Sequence, residues 1–121
     1  MSTLAVRYGA KAESKATQPK ATPCASGTFE LNTTRTTVEI GFRAKYLTVI
    51  VGDNASAIST YNADISTTQA RYSGSSTNTT TYTMASNTSN YRLHEVTDTG
   101  FTVNARASSV TSVGYYYAIG E

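Results

Sequence analysis

Few residues in this chain are of types that carry out chemistry, and their spacing argues against catalysis. His94 is the only histidine in 121 residues and Cys24 the only cysteine. A histidine-activated nucleophile needs a Ser or Cys partner and an acid that orients the ring. His94 lies inside "YRLHEVT", whose alternation of polar and apolar residues marks it as an ordinary strand residue. Cys24 follows Pro23 in a stretch without other reactive groups and reads as a passive thiol. A lone cysteine also rules out an internal disulfide.

The carboxylates point the same way. Glu30 and Glu39 fall at outward positions of alternating segments, where solvated charge is the default. Asp53 and Asp98 sit in "GDN" and "TDTG", where an Asp side chain bonds the turn backbone. A glycosidase needs two facing acids, a calcium loop needs clustered acids, and zinc needs several His or Cys. The reading is therefore a non-enzymatic protein with no catalytic residue, no cofactor and no metal. Arg43, Lys45, Arg71, Arg92 and Arg106 are scattered rather than striped, which argues against a nucleic-acid partner. No apolar run reaches membrane-spanning length and the opening residues do not read as a signal peptide.

Tyrosine is the remaining chemistry. A phenol ring offers a flat apolar surface with a polar tip, suited to sugars and to subunit contacts. Tyr61, Tyr72 and Tyr116 are the candidate ligand or interface residues. In "YYY" at 115–117, Tyr116 points opposite to Tyr115 and Tyr117.

These residues need a scaffold, and composition names its class. The chain holds 22 Thr and 14 Ser, with 39% hydrophobic and only 15% charged residues. Thr and Tyr suit a pleated, half-buried surface. From Thr28 onward the pattern has period two. Phe29 and Leu31 share a face in "FELN", and so do Leu47, Val49 and Val51 in "KYLTVIV". Phe101 and Val103 pair in "FTVNA", Tyr82 and Met84 in "TTTYTMA". "YRLHEVT" sets Tyr91, Leu93 and Glu95 against Arg92, His94 and Val96. The polar tracts 53–57, 73–80, 86–90 and 105–113 read as loops. About nine short strands separated by turns predict an antiparallel β-sandwich, jelly-roll or immunoglobulin-like, over residues 27–121. Residues 38–51 read as two core strands joined at "RAK", with the Gly-Phe pairs at 41 and 100 as structural corners.

Residues 1–26 differ. They are rich in Ala, Lys, Ser and Thr and carry both prolines. Through residue 23, Arg7, Lys11, Lys15 and Lys20 oppose only Glu13, a net of +3; the remainder holds six bases and seven acids, a net of −1. This reads as an extended basic arm that docks through Leu4, Val6, Arg7, Tyr8, Lys11, Lys15 and Lys20.

The body resembles a small β-sandwich of bacteriophage virion proteins, found in tail fibres, head fibres and capsid decoration proteins. The resemblance rests on "VEIGFRAKYLTVIV", "GFTVNA" and "YYYAIG" and covers roughly residues 28–120. Ala44 stands where that pattern usually has proline. The resemblance implies a structural subunit on a capsid or tail surface, made in the host cytoplasm and often trimeric. Its partners would be other virion proteins, the major capsid protein or a neighbouring protomer. The alternative is a receptor- or carbohydrate-binding domain of a tail fibre, using a host glycan.

Overall fold

A computed structural model describes residues 21–51, 57–74, 77–107 and 112–121. The seven arm residues named above, from Leu4 to Lys20, lie outside the described residues.

The described chain is all β. Its strands are β1 (Cys24–Leu31), β2 (Thr36–Glu39), β3 (Ala44–Val51), β4 (Ala57–Asn62) and β5 (Gln69–Gly74), then β6 (Thr77–Thr83), β7 (Leu93–Val96), β8 (Gly100–Val103) and β9 (Ser112–Gly120). They form a six-stranded sheet in the order β1-β9-β3-β4-β5-β6 and a three-stranded sheet in the order β2-β8-β7. Every pairing is antiparallel. The two sheets pack face to face as a sandwich, as the alternation predicts. β1 begins at Cys24, within the stretch assigned to the arm, so the sheet claims residues 24–26 as well. The tract 77–80, read as loop, belongs to β6 because its Thr-rich backbone pairs with β5.

The core forms between Leu31, Leu47, Val49 and Val51 of the large sheet and Val38, Leu93, Val96, Phe101 and Val103 of the small one. Its centre is aromatic. The Phe101 ring packs edge-on against Phe29 at 5.9 Å and against Tyr116 at 5.5 Å between centroids. Phe29 pairs with Gly114 across β1 and β9, and Gly27 pairs with Tyr116. A Cβ on Gly114 would lie 2.2 Å from Phe29 Cζ, so the ring lies flat over bare backbone.

The two Gly-Phe pairs have different causes. Gly41 adopts φ +87° in the link between β2 and β3, a left-handed conformation that glycine accepts without cost. Its amide and that of Ile40 both donate to the Thr99 carbonyl, at 3.0 and 2.8 Å. The link is thus residues 40–43 and it passes from one sheet to the other. Gly100 instead sits inside β8, where a Cβ would meet the Val38 carbonyl oxygen at 2.0 Å.

The strict alternation expected over 91–96 does not hold. Leu93 pairs with Val103 but Glu95 pairs with Thr102, so His94 is the extra residue of a bulge. Leu93 and Val96 are therefore both buried, while Glu95 is exposed.

Filling the space beneath Phe29 tests this arrangement. Gly114→Ala is expected to destabilise the fold by about 1–3 kcal/mol through overpacking. The cost should shrink in a Phe29→Leu background, as coupled neighbours are not additive. Thermal unfolding of the two single variants and the double variant measures both effects.

Candidate functional site

β9 runs between β1 and β3, and its two faces are unequal. The inner face carries Ser112, Gly114, Tyr116, Ala118 and Gly120; the outer face carries Val113, Tyr115, Tyr117 and Ile119. Hydrophobic patterning alone would turn the larger apolar set inward. Two inner positions must lack side chains instead, because the Phe29 ring fills the space over Gly114 and Pro23 and Phe42 fill the space over Gly120, which leaves Tyr116 as the one large inner residue. Val113, Tyr115, Tyr117 and Ile119 are left 42%, 45%, 60% and 45% exposed. Register extends the face across the sheet. Tyr46, Thr48 and Ile50 of β3 lie opposite Ile119, Tyr117 and Tyr115, and Asn62, Thr60 and Ile58 of β4 lie opposite those three β3 residues.

A groove of about 470 Å³ opens beside this strip. Thr48, Thr60, Arg71 and Thr81 lie in one row across β3, β4, β5 and β6, each paired with the next. Tyr46, Asn62 and Gln69 border the row, with Ile65 and Ser66 of the β4–β5 connection. A bulge on β3 places both Lys45 and Tyr46 between inward-facing Ala44 and Leu47. The Tyr46 hydroxyl donates to Asp64 Oδ2 at 2.5 Å, and Lys45 Nζ lies 3.5 Å from Asp64 Oδ1. The Asp64 amide in turn donates to Asn62 Oδ1 at 2.9 Å. The Tyr46 hydrogen bond, helped by Lys45, holds the Asp64 carboxyl below its usual range. Asp64 in return raises both Lys45 and Tyr46, the latter mainly through that same hydrogen bond. The ring of Tyr46 is thereby fixed at the groove wall.

None of the three tyrosines singled out from sequence lies on this face. Tyr61 is 3% exposed and belongs to the core, opposite Leu47. Tyr116 is half-buried in the aromatic cluster, because the Gly27 backbone opposite leaves room for its ring. Tyr72 is half-buried, and its ring is already occupied. The Arg92 guanidinium stacks on it at 4.1 Å and lies 5.3 Å from the Tyr82 ring. Arg92 is therefore a cation–π staple of the inner face rather than a freely solvated charge. The aromatic residues on the outer face are Tyr46, Tyr115 and Tyr117.

Several of the other chemical groups are tied into structure. His94 Nδ1 lies 3.4 Å from the Asn87 carbonyl. Glu39 accepts the Thr99 hydroxyl at 2.6 Å, and Asp98 pairs with Arg43 at 2.9 Å on the surface. Cys24 is exposed at the start of β1. Among the described residues, no three His, Cys, Asp or Glu gather where a metal ion could be held.

The chain matches no protein-family model, no curated protein and no solved structure.

Tyr82 gives the cluster beside Arg92 a measurable signature. Its hydroxyl donates to the Leu93 carbonyl at 2.5 Å, and burial pushes its pKa up to about 12. The folded pKa exceeds the unfolded value of 10.0, so its contribution is complete below that pH and is lost towards pH 12. The protein should lose about 2–3 kcal/mol more than Tyr82→Phe across this window. Urea unfolding of both proteins at stepped pH checks the difference.

Proposed function

We propose that the protein is a non-enzymatic subunit of a bacteriophage virion surface, of the capsid-decoration or head-fibre kind. The observation that supports a subunit role is the β9 strand, which leaves Val113, Tyr115, Tyr117 and Ile119 exposed one strand in from the edge of the large sheet. Monomeric proteins rarely leave contiguous apolar patches of this kind open, and subunit contacts are rich in tyrosine. The strip packs against a neighbouring protomer in a homo-oligomer, with a trimer the expected form. The basic arm attaches the assembly to other virion proteins.

A second reading is favoured by one observation, the groove lined by Tyr46, Asn62, Gln69 and Arg71. It makes the domain a receptor- or carbohydrate-binding module of a tail fibre.

Two variants separate the assembly roles. Tyr117→Glu should shift the full chain from oligomer to monomer in sedimentation velocity while the fold persists, since this side chain is 60% exposed. Removal of residues 2–20 should leave the body folded, because the cut spares Pro23, whose carbonyl accepts the Gly120 amide at 2.8 Å. The truncated protein should no longer co-sediment with virus particles lacking this chain. An oligomeric state unchanged by Tyr117→Glu would reject the strip as the contact, and full occupancy after truncation would reject the arm as the anchor.

A further inference from the structure

We infer that the groove across β3, β4, β5 and β6 binds an acidic oligosaccharide, with Arg71 receiving its carboxylate. The inference rests on the carbohydrate-binding reading and adds a site, a ligand charge and a role for each residue.

The polar groups of the groove are unspent. Thr48, Thr60 and Thr81 hydroxyls, the Gln69 side-chain amide and the Arg71 guanidinium have no hydrogen-bond partner among the described residues, while the Gln69 backbone amide donates to Ser66 Oγ. Asn62 uses its Oδ1 to accept the Asp64 amide, which leaves its Nδ2 donors for a ligand. Some residues of the same types elsewhere are committed, whereas the Thr102 and Ser112 hydroxyls are buried without a partner. Asn104 donates to the Asn87 and Ser89 carbonyls, and Ser59 accepts the Leu93 amide at 3.1 Å. The groove thus presents hydroxyls, amides and one cation in a row, the donor and acceptor types that sugar hydroxyls pair with.

Shape and wall chemistry fit the same class. The row from β3 to β6 covers three interstrand spacings, about 14 Å, which accommodates a short chain rather than a single ring. Tyr46 stands at its border with its hydroxyl held by Asp64 and Lys45 Nζ over one ring face at 5.5 Å from the centroid, which leaves the opposite face for the apolar side of a pyranose. Ile65, 78% exposed, adds apolar surface beside it.

Charge selects the acidic members of the class. Arg71 is the one charged residue among those described that line the groove. The nearby Asp64 is offset by Lys45 and by the Tyr46 hydroxyl, so it does not neutralise Arg71. A guanidinium forks two hydrogen bonds onto a carboxylate, and a neutral sugar would leave that capacity unused. A single cation is too little for a polyphosphate backbone, which excludes nucleic acid as the occupant.

The test uses the full chain on a glycan array carrying uronic-acid, sialylated and neutral oligosaccharides, followed by calorimetric titration of the strongest hit. Arg71 is exposed in mid-strand, so its variants should keep the wild-type melting temperature. The wild type should bind acidic glycans. Arg71→Ala should weaken binding at least about tenfold, with Arg71→Lys between the two. Tyr46→Ala should weaken it comparably, and Val113→Ser, four residues from Tyr117 along β9 and outside the groove, should leave it unchanged. Equal binding of neutral and acidic glycans would overturn the inference while sparing the carbohydrate reading. Acidic-glycan binding indifferent to Arg71→Ala would overturn the site. No glycan bound at all would overturn both.

Discussion

Three aromatic rings, two of them laid against bare glycine backbone, hold the two sheets in place. Phe29 and Tyr116 come from adjacent strands of the large sheet, and Phe101 comes from the centre of the small one. Each ring needs the others at a fixed distance, and Phe29 needs Gly114 to have no side chain. Edge-to-face contacts of this kind add to simple burial and orient the partners. The small sheet has three strands, two of them only four residues from end to end like the third, so it cannot position itself by backbone pairing alone. Phe101, fully buried, is the knob by which it seats on the larger sheet.

The outward consequence of this packing is the surface of β9. Because the Phe29 ring fills the space over Gly114, and Pro23 and Phe42 that over Gly120, β9 has glycine at those inner positions, and Val113, Tyr115, Tyr117 and Ile119 face out. The exposed strip is thus linked to the core by one strand. The groove is separate from that strip in its residues, although Thr48 pairs with Tyr117 and so joins the two areas. The strip and the groove lie on neighbouring strands of one sheet, which fixes the orientation of one relative to the other.

The fold class was legible in the sequence wherever burial follows alternation. In β1, β3 and β8 the large apolar residues do face the core. In β9 only Tyr116 does, while Val113, Tyr115, Tyr117 and Ile119 face out, and Phe29, more than eighty residues away along the chain, holds the space over Gly114. β4 buries Ser59 while Ile58 stays half-exposed, since the Ser59 hydroxyl ties β4 to the Leu93 amide of the other sheet. The bulge at His94 also breaks the period of β7. Tyr61, Tyr72 and Tyr116 were singled out as a type, and only packing could separate covered rings from open ones. The groove was harder still to read, because Thr48, Thr60, Arg71 and Thr81 are unremarkable in sequence and are aligned only by strand register.

The first and last strands lie side by side, with Cys24 opposite Ile119 and the Gly120 amide bonded to Pro23. Both ends of the folded body therefore leave from one corner. If the body is held by its leader, mechanical load enters at that corner and peels an edge strand from its neighbour one pair at a time. Five pairs along, the peeling front reaches Phe29 seated over Gly114, so the strand must draw an aromatic ring out of the core before it can open further. The tether is thus fitted with a catch, and a pull that frays the first residues stalls before it unfolds the rest.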